Sequence, residues 1–392
     1  MPLQYLEAFR DLREQNVMML KEAKEAGRKV AGIYCTYCPR ELVLAAGAIP
    51  VGLCGTREAP IAHAERELPR NLCPLIKSSY GFALTDTCPF FHFSDLVIGE
   101  TTCDGKKKMF ERLHRLKPVH VMNLPNSADD PSALSLWHHE LIRLKTRLEE
   151  FFDVSITEEH LRDAIRLVNE ERRALKSLFD LNREKPALLS GLDMMTASFQ
   201  AGFHIDRREV IRMIDCLAQE IREAAIQGRV AGDENTPRVL LTGTPVGMGS
   251  EKVIEIVEEL GAVVVAMENC GGYKTVDLCI DETDPRDPLL LLAEKYLRIP
   301  CSVMSPNKGR LELLDRMIDD FQINGVIDLT WQACHTYNVE SFDVSALVKE
   351  KRKLPFIQIE TDYSQADRET LRVRLEAFVE MTERSCHGDR GH

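Results

Sequence analysis

Residues 29–53 read KVAGIYCTYCPRELVLAAGAIPVGL. A β-branched run from Val30 to Tyr34 ends at Cys35, Pro39 opens a helix, Gly47 breaks it, and a second apolar run covers Ile49–Leu53. Strand, loop, helix and strand in that order make the unit of a parallel sheet, because parallel neighbours need a crossover connection.

Outward from this unit, residues 1–30 carry apolar residues on one helical face and Glu, Lys and Arg on the other, which predicts a helix. Further strands are expected at Asp95–Gly99 and Val119–Met122. The stretch from Ser132 to about Ile226 is charged and periodic as helix, as in LWHHELIRLKTRLEEFF and EEHLRDAIRLVNEERRALKSLFDL. A second α/β unit starts at Arg238: VLLTG is a strand, TPVGMGSEK a Gly-rich loop, VIEIVEELG a helix closed by Gly261, and VVVAMENC the next strand. Strands at Gly325–Leu329 and Phe356–Ile359 and a last helix over Glu369–Met381 complete it. The expected fold is α/β: two Rossmann-like parallel-sheet domains with an additional helical segment and a cleft between the domains. The boundaries read as 1–131 for the N-terminal helix and first domain, 132–235 for a helical connector or subdomain, and 236–392 for the second domain.

A chain of 392 residues is long enough for two or three such units. Its formal net charge of −12 gives no counterion-release affinity for nucleic acid and no attraction to an anionic membrane surface. No apolar run approaches the ~18 residues of a membrane span. The charged N-terminal stretch MPLQYLEAFRDLREQN lacks the apolar core of a signal peptide, so a cytoplasmic protein is expected.

Twelve cysteines are many for a reducing compartment, where the readings are metal binding, catalysis or inert burial. Their placement favours the first for several of them. Cys35 follows VAGIY, Cys103 follows DLVIGETT, Cys270 follows VVVAMEN and Cys334 follows GVIDLTWQA. Parallel sheets bind ligands outside the carboxyl ends of their strands. Four cysteines at such ends, two per domain, can face one another across the cleft. Cys73, Cys88 and Cys301 each adjoin a proline, which stiffens the loop. Zinc sites use compact Cys-x2-Cys pairs, and Cys35 with Cys38 is the one pair of that kind. Scattered thiols converging on a cleft suit an iron–sulfur cluster better.

Around Cys103, ETTCDGKKKM places a thiol at a helix start. That position would lower its pKa and stabilise a thiolate, with Gly105 admitting a bulky cofactor; the alternative is a solvated helix start. TPVGMGSEK lacks the spacing of a phosphate-binding loop, since Lys252 is followed by Val253, and no nucleotide is expected on this chain. His335 is a candidate proton donor, with a locally capped helix start as the alternative. Glu360, near Asp362 at a strand end, is a second candidate for proton chemistry, with helix capping alongside Ser364 as its alternative.

The blocks NLCPLIKSSYG, ETTCDGKKKM, MENCGG, YLRIPCSVMSPN, QACHTYNVES and IETDYS, in this order, resemble the 2-hydroxyacyl-CoA dehydratase / benzoyl-CoA reductase superfamily. They resemble most closely its single-chain branch, the double-cubane cluster proteins. The resemblance runs over nearly the whole chain. It implies two α/β domains with a cluster in the cleft, a homodimer, and electrons delivered by a separate ATP-hydrolysing iron–sulfur activator, which agrees with the missing nucleotide loop. It implies a dehydratase-type [4Fe–4S] site on Cys73, Cys103 and Cys334. In the double-cubane branch, a six-cysteine [8Fe–9S] cluster would add three of Cys35, Cys270, Cys301 and Cys279, of which Cys35, Cys270 and Cys301 are the expected set. Cys38, Cys216 and Cys386 read as incidental, and Cys54 and Cys88 as structural thiols. The implied activity is ATP-dependent, low-potential reduction of a small unsaturated or N–N compound. The alternatives are a dehydratase subunit, which is a lyase, and a non-enzymatic electron carrier.

Overall fold

A computed structural model describes residues 3–388, with side chains described through residue 385. The expected α/β architecture is present as two four-stranded, all-parallel sheets. The first contains β1 (Val30–Ile33), β2 (Ile49–Gly52), β3 (Leu96–Glu100) and β4 (Val119–Met122), in the spatial order β2-β1-β3-β4. The second contains β5 (Arg238–Gly243), β6 (Val263–Met267), β7 (Gly325–Trp331) and β8 (Phe356–Thr361), in the equivalent order β6-β5-β7-β8. Every neighbouring pair is parallel, from Val30 beside Ile49 to Val326 beside Phe356.

Four strands, β3, β5, β7 and the edge strand β6, are largely apolar because both of their faces are covered. All residues of β3, β5, β6 and β7 are buried. At the end of β5 the chain needs a glycine. Gly243 has φ +106°, and a Cβ there would lie 2.1 Å from the Leu329 carbonyl oxygen on β7. This close approach brings the loops after β5 and β7 together.

The long helical stretch forms the helices Ala133–Phe152, Glu158–Asp180, Gly191–Ala201 and Arg207–Ile226. Three of their starts are capped by side chains: Thr157 accepts a hydrogen bond from the His160 amide at 3.2 Å, Ser190 from the Asp193 amide at 3.1 Å, and Asp206 from the amides of Arg208 and Glu209. The helices touch both sheets. Helix Glu158–Asp180 packs on the first unit's helix Arg40–Ala45, and helix Gly191–Ala201 packs on β6. One hydrophobic core joins Val30, Val51 and Phe110 of the first unit to Leu178 and to Val239, Leu329 and Trp331 of the second. A second core gathers Ala31 and Leu96 with Trp137, Leu144, Leu292 and Tyr296. Helix Pro288–Leu297, within residues 236–392, thus packs against Ala133–Phe152 at the side of the first sheet.

Candidate functional site

In each sheet the strand order reverses beside the first strand, between β1 and β3 and again between β5 and β7. Crevices form at such switch points, outside the carboxyl ends of the strands. Here both crevices belong to a single cavity of about 660 Å³. Cys35, Cys73, Cys103, Cys270, Cys301 and Cys334 all line it, as do Cys38 and Cys54.

Three of these thiols share one local design. Cys73 is the N-cap of helix Pro74–Thr85, Cys103 of helix Asp104–Leu113, and Cys334 of helix His335–Ser345. Each sulfur therefore sits where unpaired backbone N–H groups and the helix dipole favour negative charge. The neighbouring Cys334 thiol holds Cys73 below the usual thiol range; burial opposes this, and the amides of Leu75 and Ile76 assist. The same interaction and burial push Cys334 up. Cys103 lies within electrostatic reach of both. Its expected lowered pKa is not found. Burial pushes Cys103 up and outweighs the amides of Lys106 and Gly105 and the Lys106 charge. Gly105 lines the cavity, and a Cβ there would lie 2.6 Å from Ile76 Cδ1 on the same wall.

The other three thiols form a second group. Cys35 is in electrostatic reach of Cys270 and Cys301, and Cys270 is in reach of Cys301. Burial pushes Cys35 well up, and it pushes Cys270 up to about 11 against the pull of Lys274. Among the described residues, no three His, Cys, Asp or Glu side chains close around a single metal ion. The thiols instead line the wall of a shared chamber.

Lys106 links the two groups. Its buried ammonium donates to the Tyr34 carbonyl at 3.0 Å and lies in reach of Cys35, Cys54, Glu100 and Cys103. Glu100, at the end of β3, is fully buried, and neither carboxyl oxygen has a hydrogen-bond partner among the described residues. Burial raises its pKa to about 8, with Lys106 pulling the other way.

A buried ionic network supports the chamber from the second sheet. The Tyr337 hydroxyl, on the chamber wall, accepts from Lys274 Nζ at 2.8 Å, and Lys274 pairs with Glu268 at 3.0 Å. Arg310 joins Glu268 at 3.3 Å, Asp328 at 3.6 Å and Glu340. Desolvated charges at this density hold only while every partner is present.

The remaining expected positions are less uniform. His335 lines the cavity as the first residue of its helix and is exposed. Glu360 is exposed outside the cavity lining and accepts from Asn338 Nδ2 at 3.4 Å. Cys54 donates to the Tyr34 carbonyl at 3.0 Å. Cys88 caps the short helix Pro89–Phe93, Cys216 lies near Arg212, and Cys279 is exposed. The Cys386 side chain lies outside the described residues. No described helix is long and apolar enough to cross a membrane.

Sequence comparison places this arrangement in a family. The Escherichia coli K12 protein YjiM, whose name marks it as a candidate dehydratase subunit, is 46% identical over 373 residues, covering 95% of this chain and 96% of that protein. The (R)-phenyllactyl-CoA dehydratase beta subunit of Clostridium sporogenes is 24% identical, covering 95% of this chain and 97% of that protein. One subunit of the Thauera aromatica benzoyl-CoA reductase is also 24% identical, over 66% of this chain and 65% of that protein. The family profile of the 2-hydroxyglutaryl-CoA dehydratase D-component matches residues 35–382. With its thiol-lined chamber between two parallel sheets, the chain belongs to the 2-hydroxyglutaryl-CoA dehydratase D-component family, within the 2-hydroxyacyl-CoA dehydratase and benzoyl-CoA reductase group.

Proposed function

We propose that this chain is an iron–sulfur reductase that holds a double-cubane [8Fe–9S] cluster on Cys35, Cys73, Cys103, Cys270, Cys301 and Cys334. It works as a cytoplasmic homodimer and takes electrons from a separate ATP-hydrolysing iron–sulfur activator. The observation that carries the reading is that six of the eight thiols lining one chamber fall into two groups of three. A bound cluster of this class supplies low-potential electron transfer.

The chain's own residues have separable tasks. The three helix N-termini pull Cys73, Cys103 and Cys334 toward the thiolate, a pull that burial outweighs at Cys103. Lys106 offsets the negative charge that six thiolates would gather. Glu100 and the Tyr337 hydroxyl hold protons beside the chamber, and His335 is placed to carry one from solvent. Glu360 stands outside the chamber lining.

A specific observation favours a second reading, a 2-hydroxyacyl-CoA dehydratase subunit with a [4Fe–4S] cluster. Of the six thiols, only Cys73, Cys103 and Cys334 share the helix N-cap design, and two of the relatives are named as dehydratase subunits. Turnover separates the readings. Anaerobic protein, activator, ATP and a reductant are incubated with hydrazine or with (R)-phenyllactyl-CoA. ATP-dependent release of ammonia from hydrazine supports the reductase; dehydration of the thioester with no reduction overturns it. Turnover of neither substrate, with electrons still accepted, leaves an electron carrier.

A further inference from the structure

The chamber wall is not thiol throughout. Arg40, Arg172 and Lys295 also line it. Arg40 Nη1 meets Glu171 Oε1 at 2.9 Å, and Arg207 reaches the same oxygen at 3.2 Å. Arg172 pairs with Glu41 at 2.7 Å, and the Tyr296 hydroxyl donates to the other Glu41 oxygen at 2.7 Å. Two buried carboxylates thus face four cations, Arg40, Arg172, Arg207 and Lys295. Further out, Glu282 is matched by Arg173, and Asp206 stands in solvent beside Arg207.

Lys295 is the cation left over. It is 7% exposed, and its ammonium makes no hydrogen bond or ion pair among the described residues. Its Nζ lies 4.2 Å from the Tyr296 ring centroid. A buried ammonium without a paired counter-charge is costly, and a chain that keeps one beside a cavity has a use for an anion there. The groups facing Lys295 are Arg172, Glu41, Arg40, Tyr296 and Cys279; Glu171 Oε2 is buried without a donor. Burial and then Arg172 push Lys295 well below the ordinary lysine range, the direction expected of a cation whose partner is absent.

The same cavity is lined by Leu175, Phe179, Phe199 and Phe203. We propose that Lys295, backed by Arg40 and Arg172, is the subsite for a carboxylate on the substrate, whose carbon chain lies against this apolar wall. The substrate class is then a small organic acid anion. The inference rests on the chamber being where substrate meets the chain, and it stands whether or not the thiols carry a cluster.

Isothermal titration of anaerobically purified protein tests it, with acetate, pentanoate and benzoate as probes and the matching amides as neutral controls. At least one acid is expected to bind, with its amide weaker by on the order of tenfold or more, the scale for removing one partner of a buried charge pair. Bound carboxylate raises the Lys295 pKa, so affinity falls as pH rises through the depressed value of the free protein. The heat, compared in buffers of different ionisation enthalpy, then reports proton uptake. Lys295→Met keeps the apolar stem, and both the affinity and the proton uptake are expected to be lost. Acid and amide binding alike, no acid binding, or unchanged binding by Lys295→Met would overturn the subsite. The acid–amide comparison needs no variant, so it decides even if Lys295→Met fails to fold. Iron measured on the same sample keeps the two claims apart: iron-free protein that binds pentanoate sinks the cluster and leaves the subsite standing.

Discussion

The Cys334 and Cys73 thiols interact directly, although one cysteine follows β7 of the second sheet and the other precedes a helix of the first unit. The contact closes the chamber from both halves of the chain. The two thiols should therefore be needed together. Cys73→Ala and Cys334→Ala are each expected to abolish cluster absorbance in anaerobic protein, and Cys216→Ala, on helix Arg207–Ile226, to retain it. Loss of absorbance in Cys216→Ala would show that the ligand choice is wrong.

Lys106 stands in reach of Cys35 and Cys103, one from each group of three, so its charge bears on both. Lys106→Met is expected to shift the reduction potential of the bound cluster to more negative values. A unit charge at this range and an effective dielectric near 20 is worth on the order of 100 mV. Redox titration followed by electron paramagnetic resonance reads the shift, and Lys106→Arg should restore most of it. An unchanged potential in Lys106→Met would place the ammonium too far from the cluster to matter.

Arg310 pairs with Glu268, Asp328 and Glu340 and is fully buried. Arg310→Leu leaves the fully buried Asp328 without its counter-charge and the fully buried Glu268 with Lys274 alone. The expected loss is about 3–5 kcal/mol, measured by urea unfolding. A loss below about 1 kcal/mol, the range of exposed pairs, would mean that the network is dispensable.

Glu258 accepts a hydrogen bond from the Gly191 amide at 2.6 Å, and burial raises its pKa to about 7. An unfolded glutamate titrates near 4.5. Between those values the folded state binds more protons than the unfolded state, so stability falls as pH rises through this window and the penalty is complete above about pH 7. Glu258→Gln keeps an acceptor and cannot ionise. It is expected to gain on the parent from pH 4.5 to pH 7, by up to about 3 kcal/mol. A stability difference that does not change with pH would contradict the assignment.

Much of this fold is legible in the sequence because its signals are local. The Val30–Tyr34 run, the break at Gly47 and the apolar stretch after Arg238 mark strands and turns over a few residues, and β1, β2 and β5 lie there. The strand ends also put Cys35, Cys103, Cys270 and Cys334 together, and the structure lines one cavity with them. Lys106 is harder to find, since three consecutive lysines look alike. Helical spacing distinguishes them: Lys106 is three residues after the N-cap Cys103 and turns inward, whereas Lys107 and Lys108 are exposed. Pairings such as Arg172 with Glu41 and Lys274 with Tyr337 carry no local signal, because they exist only once distant segments have packed. The rise in the Cys103 pKa is hidden for the same reason. A helix start is visible in sequence, but the burial that outweighs it is not.

Whether two groups of three thiols carry one double cluster is decided by iron and acid-labile sulfide, measured per chain on anaerobically purified protein. About eight irons and about nine sulfides per chain are predicted, lost when Cys35 or Cys334 is replaced. About four irons, unaffected by replacing Cys35, Cys270 or Cys301, would contradict the double cluster and leave a single cubane on Cys73, Cys103 and Cys334.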